Sequence, residues 1–321
     1  MKVKKLNFLI LTTALSFLFF SCTTTKSLPH TNIDNNEKNY EKQPLLPPPE
    51  EIIWEEIRPG VKEFSYSIKR PAPSTKTHSP KGHLKCCLVE VDFEKIQQAG
   101  ETVEFFVKEP SPKEYWTKPE SVKQFARRTG SFLAVNTNPF HQKYRKNPFA
   151  SAHIIGICLQ NGRLLSEADE KYAALAFYRK KDNFSKKSPL QAKIFNSQKE
   201  VYQATDQGSF TQFTNENQSD YLECASGGFW TILENGEIKD FKEIWDFRNA
   251  VGTKNDGKTV IFLSGGPLTF MESAEIFKAL GADKAMQFDG GSPAALVVDG
   301  KLKPSPSLRR STVGILGIKI Q

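Results

Sequence analysis

The stretch Val260–Leu302, VIFLSGGPLTFMESAEIFKALGADKAMQFDGGSPAALVVDGKL, decides how this chain is read. An apolar β-type run, Val260-Ile261-Phe262-Leu263, is expected to stop at Ser264-Gly265-Gly266-Pro267. A helix follows: Thr269 with Glu272 three residues later is a capping box. Phe270, Ala274, Phe277 and Leu280 then recur at helical spacing, and Gly281 suits the position just past the helix end. A second strand, Ala285–Phe288, runs into Asp289-Gly290-Gly291-Ser292. A third, Ala294–Val298, closes at the Asp299-Gly300 hairpin signal. An acid between an apolar strand and two glycines lies where a carboxylate and close backbone can meet a ligand together, and the site is placed there.

Working outward, the strand pattern covers most of the chain. Ile52–Ile68 reads as one or two strands broken at Pro59-Gly60, followed by a loop over residues 70–82. Further strands are expected at Leu84–Val91, Thr102–Val107, Phe132–Val135, Ile154–Leu159, Ala173–Tyr178, Gly228–Leu233 and Thr312–Ile320. Pro119–Arg128 reads as a helix with Pro in its first turn and Gly130 after its end. Residues 180–200 are charged and read as a surface excursion. The expected architecture is α+β: a single domain of mixed, mostly antiparallel sheet packed with a few helices. Residues 51–83 would contribute its N-terminal strands and loop, and residues 84–321 its body.

The start of the chain has a different character. MKVKK precedes an apolar run, Leu6–Phe20, and the small Ser21 precedes Cys22. This is the pattern of an export signal over residues 1–21, and the run is shorter than the ~20 residues a membrane span needs. Leu18-Phe19-Phe20-Ser21-Cys22 resembles a bacterial lipobox, with Phe19 where Leu is commonest. The resemblance implies that Cys22 is acylated, with a chain such as palmitate, and becomes the mature N-terminus. A plainer signal with Cys22 incidental is the alternative. Residues 22–50, polar and Pro-rich and ending in Pro47-Pro48-Pro49, read as a flexible tether. The expected location is the bacterial cell envelope, on the periplasmic face or the cell surface.

Composition excludes several classes. Of 321 residues, 38% are hydrophobic and 25% charged, as in ordinary globular chains, and 24 Phe supply core material. The formal charge of +8 includes Lys2, Lys4 and Lys5 of the signal, and no Lys/Arg block forms a nucleic-acid arm. Cys86, Cys87, Cys158 and Cys224 lie in or beside expected strands, without metal-ligand spacing, and read as small buried hydrophobes. The five His are scattered, so no metal site is expected, and no cofactor. A Gly-x-Ser-x-Gly elbow, a Walker loop and a dinucleotide fingerprint are all absent from the sequence.

The remaining candidates are polar groups at strand ends. Asn136 ends one strand, Glu223 precedes Gly227-Gly228, and Arg248 lies in Asp246-Phe247-Arg248-Asn249-Ala250-Val251-Gly252. Asp289, Gly290, Gly291 and Ser292 form the turn already described, and Arg310 precedes the last strand. Two arginines, an amide and a carboxylate suit a ligand with a sugar and a phosphate. Arginine binds phosphate bidentately, and a carboxylate works as acid, base or nucleophile at an anomeric carbon. Each also has a plainer role: Asp289 could cap its own turn, Asn136 serve a turn, and Arg248 sit on the surface.

Taken in order, these patterns resemble the phosphodiester glycosidase family over most of residues 84–321. The matching segments are Asn136-Thr137-Asn138-Pro139-Phe140, Gly156 to Leu165, Ser226-Gly227-Gly228-Phe229-Trp230, Asn235-Gly236, Arg248 to Gly252, Asp289-Gly290-Gly291, and Arg310. The resemblance implies hydrolysis of a sugar-1-phosphodiester on its glycosidic side. Arg248 and Arg310 would hold phosphate or sugar, Asp289 would be the acid/base or sugar-anchoring carboxylate, and Asn136, Gly290, Gly291 and Ser292 would shape the pocket. Glu223 is a candidate second catalytic carboxylate on position alone. The chain departs from the family at Thr137 and Asn138, which replace two glycines, at Asn249, which replaces a threonine, and at Ser292-Pro293, which replace Gly-Ser. Those departures keep a second expectation open, a non-catalytic glycan- or sugar-phosphate-binding surface lipoprotein.

Overall fold

The computed structural model describes residues 44–70, 83–111, 116–144, 147, 150–179, 189–203, 221–307 and 309–321. The expected signal segment, Cys22, most of the expected tether, residues 71–82 of the expected loop and residues 180–188 of the expected surface excursion lie outside the described residues.

Twenty strands stand against four α-helices among the described residues, so the fold is mainly β, and the expected α+β balance gives the helices too much weight. Three sheets account for eighteen of the strands, and a two-stranded ladder for the other two; every ladder among the described strands is antiparallel. The largest sheet runs in the order Glu55–Arg58, Val61–Lys69, His83–Asp92, Thr259–Leu268, Asp246–Lys254, Lys284–Gln287, Thr231–Glu234 and Glu237–Ile238. A second sheet joins Lys301–Leu302, Leu296–Val298, Leu133–Asn136, Ile315–Ile320 and Val103–Val107. A third joins Leu190–Phe195, Ala174–Arg179, Tyr221–Gly227, Cys158–Gln160 and Arg163–Ser166.

Side-chain alternation explains why the deciding stretch is so uniformly apolar. Val260 and Phe262 enter a core shared by all three sheets, with Leu316, Cys224 and Val89 among its members. Ile261 and Leu263 point the other way, into a second core closed by Ala274, Ile276 and Phe277 of the helix Phe270–Ala279. A strand buried on both faces has no polar positions to alternate with. Burying each of these side chains contributes roughly 1.5–3 kcal/mol.

The strand also outruns its expected end. It continues through Gly265-Gly266-Pro267 to Leu268, with Gly265 paired to Cys86 on one side and Arg248 on the other. A Cβ on Gly265 would lie 2.4 Å from Cys86 Sγ and 2.6 Å from Lys85 O, so glycine here permits close strand approach rather than a turn. The capping box at Thr269 and Glu272 is formed as expected. In the other helix, Val122–Thr129, the cap is Ser121 with Gln124, so Pro119 stands outside the helix. Gly130, at φ +68°, ends it. Two short helices, Phe93–Gln98 and Gln198–Gln203, and the strand Tyr221–Gly227 were not legible in advance. The expected strand at Ile154–Leu159 divides into Ala152–Ile154 and Cys158–Gln160, with Gly156 at φ +90° between them. The tether docks before its expected end, since Leu45 and Leu46 pack on the second core and Leu45 O accepts from Tyr66 Oη at 2.8 Å. Cys86, Cys87, Cys158 and Cys224 are buried free thiols.

Candidate functional site

The chain leaves the largest sheet at Gln287 and enters the second sheet at Leu296. The crossover between them carries Asp289-Gly290-Gly291-Ser292, and hydrogen bonds fix it along its length. Phe288 N donates to Asn249 O at 2.9 Å, Asp289 N to Thr137 O at 2.7 Å, and Gly291 N to Phe247 O at 2.8 Å. Ala294 N closes a turn on Gly291 O at 3.1 Å, and Ser292 O accepts from Arg310 N at 2.9 Å. The turn bond comes from Ala294, so Pro293, which has no N–H, removes nothing the turn uses.

The two glycines let the crossover lie against the strand that starts at Asp246. A Cβ on Gly290 would stand 2.8 Å from Phe247 O, and Gly291 holds φ +68° with Asp246 Oδ2 3.0 Å from where its Cβ would be. Next to them opens a pocket of about 420 Å³, lined by Asp289, Gly290, Asp246, Arg248, Phe270 and Trp230 among others. Trp230, 39% exposed, stacks on Phe229 with ring centroids 5.2 Å apart and meets Phe270 edge-on at 5.7 Å. An aromatic wall therefore faces a polar floor.

Electrostatics single out Asp289. Burial pushes its carboxyl up to about 8, although part of the residue reaches the pocket. Arg310 and the Gly290 N–H pull it down, and Asp246 adds to the rise. A carboxyl so placed is protonated at neutral pH and can donate a proton or a hydrogen bond.

Arg248 is almost wholly buried, and desolvation lowers it to about 10 against the opposing influence of Asp246 and Glu272. Its Nε donates to Leu268 O at 3.0 Å, its Nη2 donates to Ile244 O, and its guanidinium lies 4.2 Å above the Phe270 ring. Two fixed donors and a stacked face leave the third nitrogen, Nη1, beside Gly290, 3.6 Å from where a Cβ there would stand, and both residues line the pocket. Arg310 lies over Phe140 at 5.7 Å, with its Nε buried and without a hydrogen-bond acceptor.

The structure thus brings Asp289, Gly290, Gly291, Ser292, Arg248 and Arg310 together around the crossover. Two expected site residues stand elsewhere. Asn136 is 0% exposed and its carboxamide is fully engaged within the protein. Its Nδ2 donates to Asp289 O at 2.8 Å, and its Oδ1 accepts from Ala295 N at 2.9 Å and from Asn249 Nδ2. It shapes the site from beneath and offers nothing to a ligand. Glu223 does not line the pocket: it is ion-paired with Arg179, whose Nη2 donates to Val103 O at 2.7 Å. Both side chains are nearly buried (15% and 8% exposed), so the carboxylate neutralises a buried guanidinium where the third sheet meets the second.

Sequence reading passed over Asp246 and the aromatic wall. Asp246 stood in view two residues before Arg248, but only the pairing with Thr259–Leu268 shows that it faces the pocket. Trp230, Phe241 and Phe270 come from separate segments with no shared period. A larger cleft of about 780 Å³, bordered by His153, Leu165, Glu167, Asp169, Lys171 and Lys199, contains none of the expected residues. No group of three or more His, Cys, Asp or Glu able to hold a metal occurs among the described residues.

Known proteins share this fold. The catalytic domain of zebrafish N-acetylglucosamine-1-phosphodiester α-N-acetylglucosaminidase, solved auto-inhibited by its pro-peptide, superposes with a TM-score of 0.55 at 16% identity. The match covers 83% of this chain and 85% of that one. An exported protein of Burkholderia pseudomallei superposes with a TM-score of 0.51 at 12% identity, covering 75% of each chain. At these identities the likeness is one of fold. No curated protein sequence matches. The phosphodiester glycosidase profile matches residues 129–319, more than half of the chain and all of the crossover site, and the protein belongs to the phosphodiester glycosidase family.

Proposed function

We propose that this protein hydrolyses the glycosidic bond of a sugar-1-phosphodiester in envelope or environmental glycans, as an exported lipoprotein acylated at Cys22. The observation that carries the reading is the position of Asp289, which lines an aromatic-walled pocket together with Arg248 and feels the charge of Arg310 from outside that lining. Breaking the C1–O bond leaves charge on a phosphate monoester. The Arg248 guanidinium, held by its bonds to Leu268 O and Ile244 O, stabilises that charge without reorganising, and Arg310 adds positive charge beside Asp289. The Asp289 carboxyl, protonated at neutral pH, hydrogen-bonds a phosphate oxygen and keeps its proton as the bond breaks. The apolar face of a sugar ring fits against Trp230, whose ring is the exposed part of the wall.

The test is turnover of a panel of sugar-1-phosphodiesters by the wild type, Asp289→Asn and Arg248→Ala. Equal turnover by all three would remove Asp289 and Arg248 from the mechanism. The anchor has its own test: a clickable fatty acid should label the wild type and not Cys22→Ser.

A second reading, a sugar-phosphate-binding lipoprotein without turnover, draws on Asn138. It stands where relatives carry a glycine, and its Nδ2 is tied to Ile155 O at 3.1 Å and Ile157 O at 3.0 Å. Sugar-phosphate binding that survives Asp289→Asn, with no product formed, would favour it.

A further inference from the structure

Glycoside hydrolysis ordinarily needs two carboxyl groups, and Asp289 supplies one. Glu223 is removed from the pocket by its ion pair with Arg179. Asp246 lies inside it. The pairing of Asp246–Lys254 with Thr259–Leu268 slips between Asp246 and Arg248, and the strand's first residue, Asp246, lies against the crossover at Gly291. Asp246 Oδ1 accepts from Phe247 N at 2.7 Å, which orients the carboxylate. Its Oδ2 faces Gly291 at a point where any side chain would stand 3.0 Å away. Asp246 lines the same pocket as Asp289, Arg248 and Trp230.

We propose that Asp246 is the second catalytic carboxylate, the base that takes a proton from the water attacking the anomeric carbon. This rests on the glycosidase reading above. As the water oxygen bonds to C1, one water proton passes to the Asp246 carboxylate. The C1–O bond to phosphate breaks, and its electron pair stays on the phosphate oxygen. The products are the free sugar and a phosphate monoester, and Asp246 then returns the proton to solvent. The two carboxyls differ in role because their surroundings differ. Asp289 is desolvated and keeps its proton beside the departing phosphate, whereas Asp246 stands at the pocket wall and meets the incoming water.

The experiment uses the full chain and a sugar-1-phosphodiester that the wild type turns over. Asp246→Asn preserves an acceptor for Phe247 N. It is expected to lower kcat about 100-fold or more with KM unchanged. In Asp246→Ala, added azide should restore consumption of substrate and yield a glycosyl azide, which a merely structural role for Asp246 would not produce. Wild-type kcat in Asp246→Asn, or a folded Asp246→Ala that azide does not rescue, would overturn the assignment while leaving the glycosidase reading intact. A wild type inactive on every phosphodiester, with sugar phosphates bound, would sink the glycosidase reading and this one with it.

Discussion

Asn136 and Asp289 are joined twice over. The Asn136 side chain donates to Asp289 O at 2.8 Å, and Asp289 N donates back to the next residue's carbonyl, Thr137 O, at 2.7 Å. The same carboxamide takes the Ala295 N–H at the far end of the crossover, so one side chain sets the span of the whole segment. Asn136→Ala leaves three buried partners short of a bond, each worth roughly 1–3 kcal/mol. The expected outcome is a loss of about 3 kcal/mol in denaturant unfolding and a fall in kcat larger than any change in KM. A stable variant with a selectively raised KM would instead return Asn136 to direct ligand contact.

The Asp289 carboxyl makes stability fall as pH rises. It titrates near 8 in the folded protein against 3.8 for an ordinary aspartate. Between those values the folded state binds more protons than the unfolded state, so the unfolding free energy declines with increasing pH. The limit is about 1.4 kcal/mol per pH unit, and the slope vanishes below the lower value and above the upper one. Subtracting the curve for Asp289→Asn should isolate this slope; parallel curves would contradict the buried, protonated state. Activity of the wild type should also decline above pH 8 as the proton is lost.

Glu223→Gln should damage stability and spare chemistry. It leaves the Arg179 guanidinium, 8% exposed, without its carboxylate, a loss on the order of 3 kcal/mol. Thermal unfolding should shift downward while kcat measured well below the transition stays at the wild-type value. A large fall in kcat with unchanged stability would reinstate Glu223 as a catalytic group.

Trp230→Ala removes the exposed ring that lies on Phe229 and Phe270. Stacking worth about 1 kcal/mol corresponds to a KM raised about fivefold with kcat little altered. Trp230→Phe should recover most of the loss. An unchanged KM in the alanine variant would exclude stacking at this wall.

The deciding stretch was legible because its elements are local. The capping box at Thr269, the helix period and the paired glycines after Asp289 each depend on neighbours within a few positions, and all stand where expected. Gly265 was misread because glycine marks turns and close approaches alike. Which applies depends on Cys86 and Lys85, far away in sequence. The site divides the same way. Asp289, Arg248 and Arg310 are charged groups at strand ends, a local signal. The burial of Asn136, the pairing of Glu223 with Arg179, and the placing of Asp246 against Gly291 arise from strand partners that sequence spacing does not specify.

The crossover has a consequence for when activity can arise. Asn136 reaches Asp289 across 153 positions of chain, and Asp289 belongs to a segment strung between two different sheets. Such a contact forms only after both sheets exist and have docked, because distant pairings close slowly. A nascent or partly unfolded chain can hold native strands and still lack a working pocket. In refolding, catalysis should return with the slowest phase, after most of the secondary structure, and a chain crossing a membrane unfolded would carry no activity until it reaches the far side.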